Sequence, residues 1–294
     1  MSGAALIGAC GGAQPEAASP SNDAPTRSVA TASDTSNSLD ALRKRLSAGL
    51  GDVSELNLAA KGFGPGLGPV LADSASISAL TSLDVSDNDL GVEGARALAG
   101  SAHLKAVRDL DLGGNDIGDL GADAIAHASG LSGLETLNVS GNSIASRGTG
   151  SLVRGASIHL SSLDLSMNGI GTEGASALAH GNLPLKSLYL LGCEVGPDGV
   201  KELAQAPHLS KLEVLALSGN SVGDEGALAL TKSTTLQNLT TLDLCANGIG
   251  DAGALALAQS THFKKLKVIE LFGNEIGSRG TAALRKRFGS GLHI

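Results

Sequence analysis

Residues 107–115 read VRDLDLGGN, and versions of this LxxLxLxxN pattern return along most of the chain. Successive versions end 25 to 27 residues apart, and seven of the nine end in asparagine. Self-similarity at a nearly fixed period of this length predicts a solenoid of stacked repeats. We call the last residue of each version the ladder position, and its nine occupants are Lys61, Asn88, Asn115, Asn142, Asn168, Cys193, Asn220, Asn247 and Asn274.

The composition fits thin, similar layers and excludes several other classes of protein. The 294 residues are 42% hydrophobic but only 2% aromatic, so we expect a folded core of Leu, Ala, Val and Ile. A net charge of −8 with no basic stripe argues against nucleic acid as a partner. No apolar run approaches the roughly 20 residues that cross a bilayer. Cys10, Cys193 and Cys245 are too few and too far apart for a disulfide framework or a zinc cluster, so we expect no metal and no cofactor.

Each half of the repeat predicts one element. In the first half the period of two turns Leu110 and Leu112 inward and Asp111 outward, as a short parallel strand requires. The ladder asparagine is expected to turn inward and satisfy backbone groups of adjacent repeats. Cys193 is interpreted as a small buried substitute in this ladder, in preference to a reactive thiol.

The second half of the repeat predicts a helix. Ten residues after the ladder position stands Leu or Ile in all nine units, and six residues after it stands glycine in eight. Such glycines cost a helix about 1 kcal/mol relative to alanine, so we expect close approach of backbones there. Polar residues four positions after the ladder are expected to cap the helix that they begin, and these are Asp119, Ser146, Thr172, Asp224, Asp251 and Ser278.

This pattern resembles that of leucine-rich repeat proteins, and its period with a helical second half resembles the ribonuclease-inhibitor-like subclass. Segments such as Gly94-Ala-Arg-Ala-Leu-Ala99 and Gly253-Ala-Leu-Ala-Leu-Ala258 are similar to the bacterial GALA variety of that subclass. The resemblance covers about 240 residues. It implies an α/β solenoid shaped as a horseshoe, with nine parallel strands on the concave face and helices on the convex face.

The chain divides near residue 37. Residues 1–37 are interpreted as a disordered tail, because residues 11–38 hold few large apolar side chains. The opening MSGAALIGAC resembles a bacterial lipobox, with Cys10 as the lipidated residue, but it lacks a basic start. A small-residue N-terminus and a type III secretion signal are open alternatives. Residues 38–294 form the predicted repeat domain, with an N-terminal helical cap at 38–50 and a C-terminal cap at 281–294.

The outward columns of the strands are the candidate binding surface. The central column is Asn57, Asp84, Asp111, Asn138, Asp164, Tyr189, Ala216, Asp243 and Glu270, and its charge is expected to attract a basic partner. An alternative is that the acids only keep an open sheet soluble. Large apolar side chains break the otherwise small outer column in the C-terminal half. The predicted partner-binding residues are Tyr189, Leu191, Phe272, Asp84, Asp111, Asp164, Asp243 and Glu270.

Catalysis is not expected. His103, His208 and His262 share one column of the repeat, and His127 and His180 share another. Members of one column are two or more repeats apart, so no column assembles a metal site or a charge relay. The chain carries no G-x-S-x-G elbow and no P-loop.

Three functions stay open at this stage. The leading one is a non-enzymatic scaffold, monomeric, that binds another protein on the concave face. A secreted GALA-like effector that acts in a host cell is the second, and a surface-anchored lipoprotein with an adhesive or recognition role is the third. The location follows the same alternatives: a bacterial, secreted or envelope-anchored protein if translation starts upstream, and otherwise a cytoplasmic one.

Overall fold

The computed structural model of the chain describes residues 30–31, 38–155 and 158–294. Cys10 and the remainder of the predicted tail, except Ala30 and Thr31, lie outside the described residues. Parallel strands form one sheet in sequence order, with a helix between successive repeat strands. The strands are β1 (Ala30–Thr31), β2 (Glu55–Asn57), β3 (Ser82–Asp84), β4 (Asp109–Asp111), β5 (Thr136–Asn138), β6 (Ser162–Asp164), β7 (Ser187–Tyr189), β8 (Val214–Ala216), β9 (Thr241–Asp243), β10 (Val268–Glu270) and β11 (Leu292–His293).

The α-helices form a second layer against this sheet. Neighbouring helices along the chain pack against each other, so every layer of the solenoid contacts the next. The helices are α1 (Leu39–Ala48), α2 (Leu67–Ala72), α3 (Gly91–Ala99), α4 (Gly118–Ala126), α5 (Ser146–Arg154), α6 (Gly171–Ala179), α7 (Gly196–Gln205), α8 (Gly223–Thr231), α9 (Asp251–Gln259) and α10 (Ser278–Phe288).

The predicted solenoid is confirmed, but the predicted count of nine strands is too low. β2 to β10 are the nine repeat strands, and a two-residue strand extends the sheet at each end. Ala30 and Thr31 pair with Leu56 and Asn57 of β2, and β11 pairs with β10. Neither end strand carries the repeat pattern, because each needs to match only one neighbour.

The core repeats with the sequence. Leu110 and Leu112 face inward and are buried, while Asp111 between them faces the hollow. The leucine or isoleucine ten residues after each ladder position is also buried, from Leu71 to Leu284. One repeat cannot bury its apolar side alone, so stacking is what closes this core.

The ladder asparagines bind adjacent repeats together. Asn115 donates from Nδ2 to the carbonyls of Val85, Leu112 and Gly113 at 2.9 to 3.1 Å. Its Oδ1 accepts the amides of Asn88 and Leu90 in the preceding repeat. Cys193 occupies the same position, is buried, and donates its thiol to the Leu165 carbonyl at 3.1 Å. The interpretation of Cys193 as a ladder member is confirmed.

The prediction that the polar residues cap their own helices is wrong. None of these six helices has a side-chain cap hydrogen bond at its own N-terminus. Asp119 instead accepts the amides of Ala145 and Gly148, at the start of the helix in the following repeat. Asp224 binds Gly250 and Gly253 in the same manner, as Asp251 binds Gly277 and Gly280. An aspartate at this site points along the stack, so its carboxylate reaches the next helix.

Two kinds of junction therefore occur along the stack. Where the preceding repeat supplies the aspartate, the residue three positions after the ladder is extended, with φ of −105° at Ala145 and −98° at Gly250. Where the preceding repeat supplies no aspartate, the same position holds a glycine with positive φ. The amide of this glycine donates a hydrogen bond to the carbonyl of the ladder residue in the next repeat. Gly223, with φ of 61°, donates to Asn247 in this way.

Glycine recurs six residues after the ladder position because the space beside it is filled, mainly by side chains. A Cβ on Gly121 would lie 2.6 Å from the Ile117 Cβ and 3.1 Å from the Ala95 Cβ. A Cβ on Gly226 would lie 2.5 Å from the Val222 Cγ1. The expectation of backbone approach is met at Gly94 of the second repeat, because a Cβ on Gly68 of the first repeat would overlap the Gly94 backbone.

The two ends of the stack differ from its middle. α1 begins with Ser38, whose hydroxyl accepts the Ala41 amide, and it buries Leu42 and Leu46. At the other end Arg287 donates to the carbonyls of Ala258, Ser260 and Phe263, which end helix α9 and follow it. Among the described helices, none has the length and apolar character needed to cross a bilayer.

Candidate functional site: the concave face

The strands bring the predicted central column together in one line. Asn57, Asp84, Asp111, Asn138 and Asp164 occupy equivalent registers on β2 to β6. The line continues through Tyr189, Ala216, Asp243 and Glu270 on β7 to β10. Adjacent members are separated by one strand spacing of about 4.8 Å. The column is therefore continuous over all nine repeats.

Part of this column has a local structural role. Asp84, Asp111, Asp164 and Asp243 each accept, through Oδ1, the backbone amide two residues further along. Asn138 accepts the Ser140 amide in the same way. This side-chain turn ends the strand, and it explains why Asp and Asn share the position.

Two of the carboxylates also bind a neighbouring asparagine. The Asn57 Nδ2 donates to the Asp84 Oδ2 at 2.8 Å, and the Asn138 Nδ2 donates to the Asp111 Oδ2 at 3.0 Å. Aspartate can accept at both oxygens, whereas asparagine has only one acceptor oxygen. These internal contacts account for the presence of aspartate at positions 84 and 111, so a binding protein is not needed to explain it.

The strands of the first four repeats line a hollow of about 370 Å³. We call its four acidic residues, Glu55, Asp84, Asp109 and Asp111, the acidic zone. No lysine or arginine lines this hollow. Glu55 and Asp109 are exposed, and their carboxylates make no hydrogen bond or ion pair to the described residues. Arg108 is next to Asp109 in sequence, but its Nη1 lies 3.7 Å from the Glu135 Oε1 and donates to the Gly133 carbonyl. The negative charge of the acidic zone is therefore not balanced within the described chain.

The pKa of Asp111 reflects this crowding. Burial raises the pKa of the Asp111 carboxyl, and the charges of Asp84 and Asp164 raise it further. The hydrogen bonds from Gly113 and Asn138 act in the opposite direction. The net effect raises the pKa of Asp111. A positive charge placed beside this carboxylate would offset the repulsion from Asp84 and Asp164 and favour its ionised form.

Beside the acidic zone lies a small apolar patch that we call the apolar zone, defined by Met167, Tyr189 and Leu191. Met167 is 49% exposed, and its amide donates to the Leu191 carbonyl at 2.6 Å. Tyr189 and Leu191 are half-buried. Burial, opposed by a hydrogen bond with Ser187, raises the pKa of the Tyr189 hydroxyl.

Sequence reasoning missed Met167. The residue before the ladder position is Gly, Ala or Asp in the other eight repeats, so the methionine stood out and could have been found. It shares the positive φ of this turn position, 57°, and places a large flexible side chain at the surface.

Phe272 does not join the apolar zone. It is 43% exposed on the ninth repeat, three strands from Leu191, and buried Ser218 and Cys245 occupy the positions between them. At about 4.8 Å per strand that separation is roughly 14 Å. The predicted apolar lane is thus two separate patches.

The C-terminal end of the column holds a mixed group of polar side chains. Ligand atoms of Asp243, Cys245 and Glu270 lie within 4.8 Å of one another. β11 adds His293, whose Nδ1 is 3.6 Å from the Glu270 Oε1. Sequence reasoning missed this group because it joins two columns of the repeat and an end strand that lacks the pattern.

The histidines of the two sequence columns lie at helix ends or in loops, outside the strands of the concave face. His127 and His180 each bond a backbone carbonyl of their own helix, and His262 bonds the Thr231 carbonyl. His180 and His208, from different columns, do lie close enough to interact. Burial lowers the pKa of His208, and the nearby His180 lowers it further, against the raising effect of the Leu178 carbonyl.

Comparisons with known proteins agree with this architecture. A solved structure from Bacteroides fragilis, a structural genomics target, is 17% identical with a TM-score of 0.50, covering 87% of this chain and 71% of that one. The chain also resembles the crystal structure of a TLR13-ssRNA13 complex, at 20% identity and a TM-score of 0.47. That match covers 82% of this chain but only 35% of the TLR13 chain. No curated protein matches the sequence.

A family model described as "Leucine Rich repeat" matches six segments spread across the stack. They are residues 78–99, 103–126, 156–179, 181–204, 208–230 and 235–258. Each segment contains one repeat strand and all or nearly all of the helix that follows it. With the register of the sheet and the asparagine ladder, these matches show that the chain belongs to the leucine-rich repeat family.

Proposed function

We propose that this chain is a non-enzymatic scaffold that binds another protein on its concave face. The acidic zone would receive basic side chains of the partner, and the apolar zone would receive an apolar anchor. The observation that carries the proposal is the unbalanced charge of Glu55 and Asp109 beside the hollow. Neither carboxylate has a structural partner among the described residues, so the internal architecture does not account for them.

Catalysis is the less supported alternative. The carboxylates of the acidic zone are neighbours in a regular ladder, and Asp84 and Asp111 already hold backbone and asparagine donors. Glu55 and Asp109 have free acceptor oxygens, but no side chain of the described residues orients either carboxylate, as a catalytic base requires. The GALA-like effector and the surface lipoprotein remain proposals about where such a scaffold would act, and both depend on residues 1–37.

The charge of the acidic zone can be tested with a defined probe. We expect a fluorescent oligolysine peptide to bind the full chain at low salt, and an oligoglutamate peptide not to bind. Glu55→Gln with Asp109→Asn should weaken oligolysine binding about fivefold, and added salt should remove most of the remainder. The matched control is Glu202→Gln with Glu225→Gln, which removes the same charge from exposed sites on α7 and α8. Equal weakening by both pairs would show that only net charge matters.

The use of the concave face can be tested by site-directed photo-crosslinking in whole-cell extract. A benzophenone side chain at Tyr189 should crosslink a protein, whereas the same group at Leu228, which is 42% exposed on α8, should not. The crosslink at position 189 should weaken in the Glu55→Gln, Asp109→Asn background. Crosslinks at Leu228 alone would contradict binding through the concave face.

A further inference from the structure

We propose that Asp243, Cys245 and Glu270 form a Zn²⁺ site at the C-terminal end of the concave face, with His293 as the fourth ligand. The three repeat residues come from β9, the turn after it, and β10. Their ligand atoms lie within 4.8 Å of one another. The sequence argued against a zinc cluster because its cysteines are far apart, but the fold supplies carboxylate and imidazole donors from other strands.

The donor set favours zinc over magnesium or calcium. A thiolate is a soft ligand that Mg²⁺ and Ca²⁺ avoid, whereas Zn²⁺ binds sulfur, nitrogen and carboxylate oxygen together. Tetrahedral ligands at ordinary zinc bond lengths lie roughly 3.3 to 3.8 Å apart. The group therefore has to contract by about 1 Å, which side-chain rotation in the half-buried Asp243 and Glu270 can supply.

The fourth position is provided by a separate element. β11 pairs with β10, and this pairing sets His293 opposite Glu270. The His293 Nδ1 is 3.6 Å from the Glu270 Oε1, and both side chains retain solvent exposure, 46% and 29% respectively. A rotation of the exposed imidazole would bring it to an ion held by Glu270. The site thus combines one sulfur, one nitrogen and two carboxylates.

Binding would also relieve repulsion within the group. Zn²⁺ requires the thiolate, so the Cys245 proton passes to solvent when the metal–sulfur bond forms. The thiolate and the two carboxylates carry three negative charges, which the ion reduces to one. The Asp243 Oδ1 also accepts the Cys245 amide at 2.8 Å, which fixes the thiol and the carboxylate relative to each other.

Co²⁺ is a suitable spectroscopic probe for this site. In the full chain carrying Cys10→Ala, we expect one Co²⁺ per chain with a sulfur-to-cobalt charge-transfer band, and displacement of Co²⁺ by Zn²⁺. Cys245→Ser should remove the band. Cys193→Ser is the matched control, because Cys193 is equally buried but lies in the ladder, outside the proposed ligand group, and it should retain the band.

Two further variants separate loss of a ligand from loss of the fold. Asp243→Asn should weaken Co²⁺ binding about tenfold or more while far-UV circular dichroism is unchanged, because Asn57 and Asn138 make the same turn elsewhere. His293→Ala should weaken it by a similar factor. Absence of the band at one equivalent of Co²⁺, or a band that survives Cys245→Ser in folded protein, overturns the proposal.

Discussion

At the scale of single residues, the ladder asparagine contributes most to joining the repeats. Asn115 makes three donated and two accepted hydrogen bonds in a site with no solvent exposure. Removing one side of a buried hydrogen bond leaves the other group desolvated and unpaired, at about 1 to 3 kcal/mol each. The asparagine therefore acts as the link between two backbones.

We expect Asn115→Ala to lower the free energy of unfolding by at least about 3 kcal/mol, since buried carbonyls and amides lose their partners. Asn138→Ala is the control, because the side chain of this half-buried asparagine on the concave face hydrogen-bonds only Asp111 and Ser140 among the described residues. It should cost about 1 kcal/mol. Urea unfolding followed by circular dichroism measures both, and similar losses would contradict the role of the ladder.

At the scale of elements, the start of each repeat helix is set by the repeat before it. Asp224 reaches forward to the amides of Gly250 and Gly253, so α9 begins after extended backbone. Gly223 follows a repeat without such an aspartate, and its positive φ turns its amide to the Asn247 carbonyl. The same sequence position therefore tolerates different residues in different repeats.

Two matched substitutions test this difference. Gly223→Ala should cost about 1 to 2 kcal/mol, because alanine disfavours positive φ although no atom lies within 4 Å of the added Cβ. Gly250→Ala should be neutral or stabilise by up to about 1 kcal/mol, because its backbone is extended and its nearest contact, Asp224 Oδ2, would be 3.4 Å away. Thermal unfolding of the two variants gives the comparison, and an equal cost would refute the two junction types.

The extent to which sequence predicts this molecule follows from the same contacts. Leu110, Leu112 and Asn115 could be placed because each acts within a pattern that nine repeats share. The role of Asp119 was misread because its partner is 26 residues away, and local capping rules consider only its own helix. His293 was missed because β11 occurs once, at the end of the sheet, and so does not share the repeat pattern. Periodicity thus predicts the fold and the central outward column of the strands. It does not predict which side chains of adjacent repeats contact each other.

At the scale of the whole molecule, stability depends on nearest neighbours and on the ends. Each helix packs on the one before and the one after it, so a disturbance at one end should stay near that end. The last helix is held by Arg287, which donates to three backbone carbonyls and lies over the Phe288 ring at 5.1 Å.

We expect Arg287→Ala to increase amide hydrogen exchange in α9 and α10 while leaving α3 to α5 unchanged, because the freed carbonyls belong to the last junction. The control Arg285→Ala should have little effect, since the Arg285 side chain is exposed and makes no hydrogen bond or ion pair to the described residues. Exchange read by mass spectrometry resolves the two regions. A uniform increase along the chain would mean that the solenoid opens as a single unit.

The forward-pointing aspartate also restricts how such a chain can be lengthened by tandem duplication. The repeat that begins around Gly250 receives an aspartate and itself supplies Asp251, so a second copy could follow the first without strain. The repeat around Ala145 receives one but offers Ser146, and a second copy would force that alanine toward the positive φ that glycine adopts at lower cost. Growth of the array is therefore permitted at some boundaries and penalised at others.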